Sequence, residues 1–524
     1  MRDMNSLAAL VGYEPEHYGR LSNRRDRVAV KCGEQVVTWG QFGERVHRLA
    51  RAWENRGFRR ADKVATFLPN RVEVLEVMYS LARVAMVNVT INAKFKAEEF
   101  VETVGFSDAC ALVVDARLLP VVDEAIARLP NLDRGNVFVV GAGGAGHGYA
   151  TYEDLLESGD DAPMRREPEE GDVLWMAFTG GTTGPAKACL APHRGMVRLW
   201  TAMGQEMDVR RTDVGLIAGS LNHALGIHFG MALLHLGGTL VVLPEFDPVK
   251  VLEAVETEKV TFIPSAPSLY NIILDAAAGG TYDVSSVRLV ITGGAPMSTT
   301  TKNRLLDFFS SADLCSGYGA TESGLYAVVY PEDQRRKERC AGLPPLGVEL
   351  KILDEDGAEC APGQVGTIYM RGWRTAVEYY KNPEATAAQF RGDWHTLDDM
   401  GYLDEDGYLF ITDRRKNMIV SGGINVFPAE VESVLAAHPA VVEAAVIGIP
   451  DDQWGEVVCA FVVTRPGSEV DAETLDAHCR ERLARYKVPR RYEFRPELPK
   501  TYAGKLSHRE LREPYWANRT ARVS

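Results

Sequence analysis

The most informative stretch of this chain is Phe178-Thr179-Gly180-Gly181-Thr182-Thr183-Gly184-Pro185-Ala186-Lys187. Gly180, Gly181 and Gly184 let backbone N–H groups approach an anion, the hydroxyls of Thr179, Thr182 and Thr183 can donate to it, and Lys187 adds a cation. That set suits a phosphate group. It is not the Walker arrangement, because Lys187 follows Ala186 rather than glycine and precedes Ala188. A polar surface turn would account for the glycines but gives no reason for three threonines and a lysine together. The other glycine-rich stretch, Gly141 to Gly148, contains no Lys, Ser or Thr. It reads as a surface connection.

Four more polar groups follow in order: Gly317-Tyr318-Gly319-Ala320-Thr321-Glu322, Trp394-His395-Thr396-Leu397-Asp398-Asp399-Met400-Gly401-Tyr402, Asp413-Arg414-Arg415-Lys416 and Gly504-Lys505-Leu506. With the first stretch they resemble the successive signatures of the adenylate-forming superfamily, which comprises acyl- and aryl-CoA ligases, peptide-synthetase adenylation domains and beetle luciferases. The resemblance spans Thr179 to Lys505 and covers essentially the whole chain. It implies an α/β fold with a large, multi-lobed N-terminal domain of mostly parallel sheets, residues 1–415, and a small mobile α+β C-terminal domain, residues 416–524. It also implies ATP, Mg2+ and CoA as reaction partners.

Read for their chemistry, the motifs divide the labour of holding a nucleotide. An adenine needs an aromatic face and a polar edge, which Tyr318 and the segment Gly294-Ala295-Pro296 can supply. Glu322 beside Thr321 sets a hard oxygen ligand next to a hydroxyl, as a Mg2+ bridging phosphates requires. By resemblance, Glu322 holds the metal, Asp399 accepts the ribose hydroxyls and Arg414 contacts the same sugar. Lys505, which alone would read as an exposed surface lysine, is by resemblance the cation that bridges the substrate carboxylate and the α-phosphate. Lys416 matches the pivot of the terminal domain.

For the acid, His223 resembles the residue that abuts the carboxylate and gates the thiol tunnel. Ala224, Leu225, Ile227 and Phe229, with Gly294, Gly319 and Ala320, give a mostly hydrophobic pocket suited to an aromatic or medium-length acid. No acidic anchor for a substrate amine stands there. Ser421-Gly422-Gly423 resembles the loop that lines the pantetheine tunnel, although a glycine pair also simply makes a turn. Two departures bear on the acceptor: the proline before the loop lysine is shifted by one, and Asp398 stands where the family commonly has glycine. An amide synthetase passing the acyl group to an amine and a carrier-protein-loading adenylation enzyme therefore remain open alternatives. A nucleotide-binding sensor is the non-enzymatic one, and retention of Lys505 with Glu322 argues against it.

These groups must be held by a large scaffold, and 524 residues with 46% apolar content can bury several cores. The formal charge of -14, from 58 basic and 72 acidic residues, is unfavourable for nucleic acid or an anionic membrane. Eight scattered cysteines with no knuckle spacing point to a reducing compartment. With no apolar run of signal or membrane-spanning length, the expectation is a cytoplasmic protein, with a homodimer as its expected self-association. Val137–Val140, Val173–Phe178, Leu240–Leu243, Val260–Ile263 and Val287–Ile291 read as buried strands between amphipathic stretches, hence mostly parallel sheets. Beyond the charged run at Asp413, Pro428 opens a helix, Val441–Ile449 and Cys459–Val463 read as strands, and Asp471 caps a helix reaching Ala484.

Overall fold

The computed structural model describes residues 10–142, 144–179, 187–372, 375–414, 417–422, 424–451, 453–465, 467–468, 470–500 and 506–517. Two eight-stranded sheets dominate it. The first contains, in spatial order, β15 (Gly324–Val329), β14 (Asp313–Ala320), β13 (Leu289–Gly293), β12 (Phe262–Ser265), β10 (Val214–Ile217), β11 (Thr239–Val242), β1 (Val28–Cys32) and β2 (Gln35–Thr38). The second runs β18 (Glu378–Tyr379), β9 (Lys187–Pro192), β8 (Val173–Thr179), β4 (Val87–Thr90), β3 (Lys63–Phe67), β5 (Ala111–Asp115), β6 (Val137–Val140) and β7 (Ala150–Thr151). In both, the interior pairings are parallel and the antiparallel ones lie at the edges. Strands covered on both faces should be apolar throughout, and every residue of β5 and β6 is buried.

Helices fill the space between and outside these sheets. Trp39–Asn55, Val72–Arg83, His193–Glu206 and Ala224–His235 share one core with the facing sides of both sheets. Thr38 starts the first of these by a reciprocal capping box with Gln41. Helices Ala97–Ser107 and Leu119–Ala125 cover the outer face of the second sheet, and Pro248–Thr257, Pro267–Ala277 and Thr299–Phe308 cover that of the first. Each layer thus buries the stripe or face that its neighbour leaves apolar.

A smaller antiparallel sheet holds β16 (Val348–Leu353), β17 (Gly366–Gly372), β20 (Trp394–Leu403) and β19 (Phe390–Arg391), with β21 (Leu409–Arg414) also paired to β20. Further on, β22 (Ile419–Ser421), β23 (Ile424–Val426), β24 (Val441–Asp451), β25 (Gly455–Thr464) and β26 (Arg491–Phe494) form a fourth sheet with its own apolar clusters and three helices, Pro428–Ala436, Ala472–Arg480 and His508–Trp516. Asp471 caps the second of these through Thr474 N as its sequence predicts, but that helix ends at Arg480 rather than Ala484. There the chain turns to bury Leu483 and Val488 in the same cluster, and packing overrides local helical preference.

Candidate functional site

In open parallel sheets, ligands sit beyond the carboxyl ends of the strands. β13 ends at Gly293, and its register with β14 sets Gly293 beside Gly317, so the Gly294-Ala295-Pro296 segment emerges next to Tyr318. Gly294 has φ +79°, a left-handed conformation open to glycine without steric cost, and all three residues of the segment are exposed. Gly319 is demanded by space: a Cβ there would stand 1.8 Å from Gly324 O. The predicted base pocket is thus an open ledge beside an aromatic ring.

Tyr318 also makes a contact that its predicted stacking role does not include. Its hydroxyl donates to Asp399 Oδ2, while Arg414 Nε donates to Asp399 Oδ1 at 3.2 Å. The pairing of β20 with β21, which sets Asp399 opposite Arg414, produces that arrangement. Burial, then the Asp399 charge, raises the Tyr318 phenol well above its ordinary value, so it remains a donor. The three residues predicted to hold adenosine therefore form one hydrogen-bonded cluster. Asp398 beside them has φ +59°, where glycine is the unstrained choice and aspartate is among the better-tolerated replacements.

Just past the same carboxyl end of β14, Glu322 is buried, with 8% of its surface exposed. Tyr379 donates to its Oε1 at 2.8 Å, and the Tyr379 ring lies under the Lys187 ammonium, Nζ to centroid 4.7 Å. Gln389 Oε1 faces the same hydroxyl. Burial and then Glu322 raise the Tyr379 phenol far above its ordinary value, and the same two causes act on the buried Cys189 thiol. Thr375 Oγ1 donates to Thr321 O at 2.6 Å and Ala376 N to Glu322 O at 2.8 Å, fixing the backbone that carries the carboxylate. Thr179 and Lys187 face each other across β8 and β9, with Thr179 Oγ1 donating to Lys187 O at 3.3 Å.

A buried carboxylate is costly unless a cation or several donors face it, and among the described residues the Tyr379 hydroxyl and the Cys189 thiol face Glu322. Among the described residues no group of three or more His, Cys, Asp or Glu is placed to hold a metal. A single buried carboxylate fits a magnesium ion, for which Glu322 would be the protein ligand.

His223 is the N-cap of the helix Ala224–His235. Leu225 Cδ1 stands 3.9 Å from the positions a Cβ would take on Gly293 and on Gly294, so helix and ledge meet at the predicted acid pocket. Ile227 is instead fully buried in the central core, and Phe229 packs edge-on against Phe262 at 6.0 Å. Ala320 N donates to Ser323 Oγ at 3.2 Å. In the C-terminal module, Ser421 is buried opposite Gly455, and Gly422, at φ +60°, donates its N–H to Trp454 O at 2.8 Å. A Cβ on Gly422 would fall 2.6 Å from the Trp454 ring. Gly180, Gly181, Thr182, Thr183, Gly184, Lys416, Gly423 and Lys505 lie outside the described residues.

Tyr379, Thr375 and Gln389 went unread in the sequence. Tyr379 sits in a two-residue strand whose only cue is a tyrosine pair before Lys381-Asn382-Pro383. Its role depends on β18 pairing with β9, which no local pattern announces.

Comparison with known proteins places most of the chain in one family. The AMP-binding enzyme family model matches residues 19–380, and the model of the AMP-binding enzyme C-terminal domain matches residues 430–505. Feruloyl-CoA synthase of Amycolatopsis sp is 33% identical over 491 residues, 93% of this chain and 96% of that protein. The 2-succinylbenzoate–CoA ligase of Geobacillus kaustophilus is 32% identical, covering 93% and 95%. Among solved structures, the anthranilate CoA ligase AuaEII in complex with anthranoyl-AMP superposes with a TM-score of 0.88 at 25% identity, covering 96% and 97% of the two chains. The amide bond synthetase McbA from Marinactinospora thermotolerans gives 0.86 at 29%, covering 96% and 99%. No helix among the described residues is long and apolar enough to cross a membrane. The chain belongs to the AMP-binding enzymes of the adenylate-forming superfamily.

Proposed function

We propose that this enzyme activates a carboxylic acid with ATP and passes the acyl group to CoA, giving acyl-CoA, AMP and pyrophosphate. The observation that carries this reading is a pair of clusters at the carboxyl end of β14: Tyr318, Asp399 and Arg414 beside its last residues, and Lys187, Tyr379 and Glu322 just beyond them. The first offers a carboxylate and a ring to a nucleoside. The second offers a cation and a metal-binding carboxylate to its phosphates.

Asp399, held by Tyr318 and Arg414, accepts the ribose hydroxyls, and the ring of Tyr318 faces the base over Gly294-Ala295-Pro296. Thr179, Gly180, Gly181, Thr182, Thr183, Gly184 and Lys187 surround the phosphates. A bound Mg2+, held by Glu322, would neutralise phosphate charge. A carboxylate oxygen of the acid attacks the α-phosphorus, the bond to the bridging oxygen breaks, and pyrophosphate leaves. Lys505 stabilises the charge that develops in that step. The thiol of CoA then enters past His223 along Ser421-Gly422-Gly423, loses its proton and attacks the acyl carbon, and the carbon–oxygen bond to AMP breaks. Between the steps the domain beyond residue 416 pivots at Lys416.

The relatives that act on feruloyl and 2-succinylbenzoyl groups support an aromatic or medium hydrophobic acid, as does the pocket around Ala224, Leu225, Gly294, Gly319 and Ala320. The likeness to the amide bond synthetase McbA favours a second reading, in which an amine takes the acyl group. Pyrophosphate release with MgATP and a panel of aromatic and aliphatic acids, with and without CoA, tests both, with products followed by mass spectrometry. Acid-dependent pyrophosphate and an acyl-CoA are expected. An adenylate that ignores CoA and reacts with amines would move the assignment to the second reading.

A further inference from the structure

The segment that follows β3 of the second sheet meets those that follow β10 and β11 of the first, and two asparagine side chains cross between them. Asn70 follows β3 of the second sheet, and only 9% of its surface is exposed. Its Nδ2 donates to Gly219 O at 2.7 Å and to Leu243 O at 2.9 Å, and its Oδ1 accepts from Leu221 N at 2.8 Å. Gly219 and Leu243 lie just past β10 and β11 of the first sheet. Asn222 returns the contact, its Nδ2 donating to Leu68 O at 2.6 Å. A planar amide with two donors and an acceptor fits these three backbone groups, and no other side chain of that size does. An aspartate would turn an oxygen towards two carbonyls, and a leucine would leave all three groups unsatisfied.

The segment so held leads directly into the predicted acid pocket. Leu221 is fully buried, Asn222 N donates to Ser220 Oγ at 3.1 Å, and His223 N donates to Ser220 O at 3.3 Å. The fold-back is tight enough that a Cβ on Gly226 would fall 2.2 Å from Ser220 O. His223, Ala224 and Leu225 therefore start their helix from a point fixed by the opposite sheet. We infer that Asn70 is a positioning residue, which sets from the neighbouring lobe the wall of the acid pocket formed by His223, Ala224 and Leu225. The inference rests on the proposed function for the identity of that pocket. It assigns Asn70 to the acid and not to ATP, because every group its side chain binds lies just past β10 or β11 and none in the two nucleotide clusters.

Two measurements on Asn70→Asp and Asn222→Leu test it. Hydrogen exchange followed by mass spectrometry needs no substrate: exchange across residues 219–223 should quicken roughly tenfold, with the strands β10 to β13 unchanged. In pyrophosphate release with the best acid of the panel, the KM for the acid should rise roughly tenfold in Asn70→Asp, since small displacements of a binding wall are strongly felt, while the KM for ATP stays within about twofold. Asn222→Leu removes one hydrogen bond and should shift both readouts in the same direction by less. It carries the test if Asn70→Asp does not fold. A protein that merely lost stability would lose kcat with both KM values unchanged, and that result, or unaltered exchange in residues 219–223, would overturn the assignment. Wild-type protein that releases no pyrophosphate with any acid would refute the proposed function and leave the exchange measurement to decide whether Asn70 positions the loop.

Discussion

Tyr379 ties together two opposite charges, its hydroxyl on Glu322 and its ring beneath Lys187. Replacing it with phenylalanine keeps the ring under the ammonium and removes only the hydrogen bond to a buried carboxylate. The loss of one charge-assisted bond is worth about 1.5–3 kcal/mol. Tyr379→Phe should therefore lower kcat/KM for ATP by roughly ten- to a hundredfold and raise the Mg2+ concentration needed for half-maximal rate, with the KM for the acid unchanged. Steady-state kinetics at varied Mg2+ check this, and a variant with wild-type magnesium dependence would contradict it. At this scale the sequence offers a proposal where the residues are adjacent, as for Thr321 with Glu322. It was silent where chemistry depends on strand pairing, as for Tyr379, or on a long-range amide, as for Asn70.

Elements were legible where burial is two-sided. The strand expected at Val137–Val140 is β6 residue for residue, and those expected at Val260–Ile263 and Val287–Ile291 are β12 and β13 displaced two residues along the chain. The displacement reflects where each strand finds its parallel partner, information that hydrophobicity alone does not hold. The C-terminal helices show how elements are joined by charge. His508 Nε2 lies 2.7 Å from Glu432 Oε1, in the helix Pro428–Ala436. Burial alone would lower the His508 pKa, but the Glu432 hydrogen bond and charge, with a further contribution from Asp413 against an opposing one from Arg512, raise it above its usual 6.5. A folded-state value above the unfolded one stabilises fully below pH 6.5 and is lost as pH rises through the folded value. Thermal unfolding followed from pH 6 to 9 should show the C-terminal module weakening with pH, and His508→Gln should flatten that dependence.

Across the whole molecule, the predicted site residues within the described structure gather at the carboxyl edges of the two large sheets and along the smaller sheet that follows them, except Ser421 and Gly422, which lie in the C-terminal module. Asp413 lies where the two meet: its Oδ2 accepts from Ala429 N at 2.9 Å, at the start of the helix Pro428–Ala436, and burial raises its pKa. The motif order was readable from sequence because each motif is local, whereas the layered arrangement that brings Tyr318 to Asp399, and Lys187 and Glu322 to Tyr379, arises from sheet order. The central claim is that the acid's carboxylate attacks the α-phosphorus of ATP, and an isotope experiment tests it most directly. The acid is supplied with both carboxylate oxygens as oxygen-18, and the products of complete turnover with CoA are weighed by mass spectrometry. The account predicts that AMP carries one labelled oxygen, left behind when the carbon–oxygen bond breaks, and that pyrophosphate carries none. Label in inorganic phosphate with ADP as the nucleotide product would mean attack at the γ-phosphorus and would contradict it.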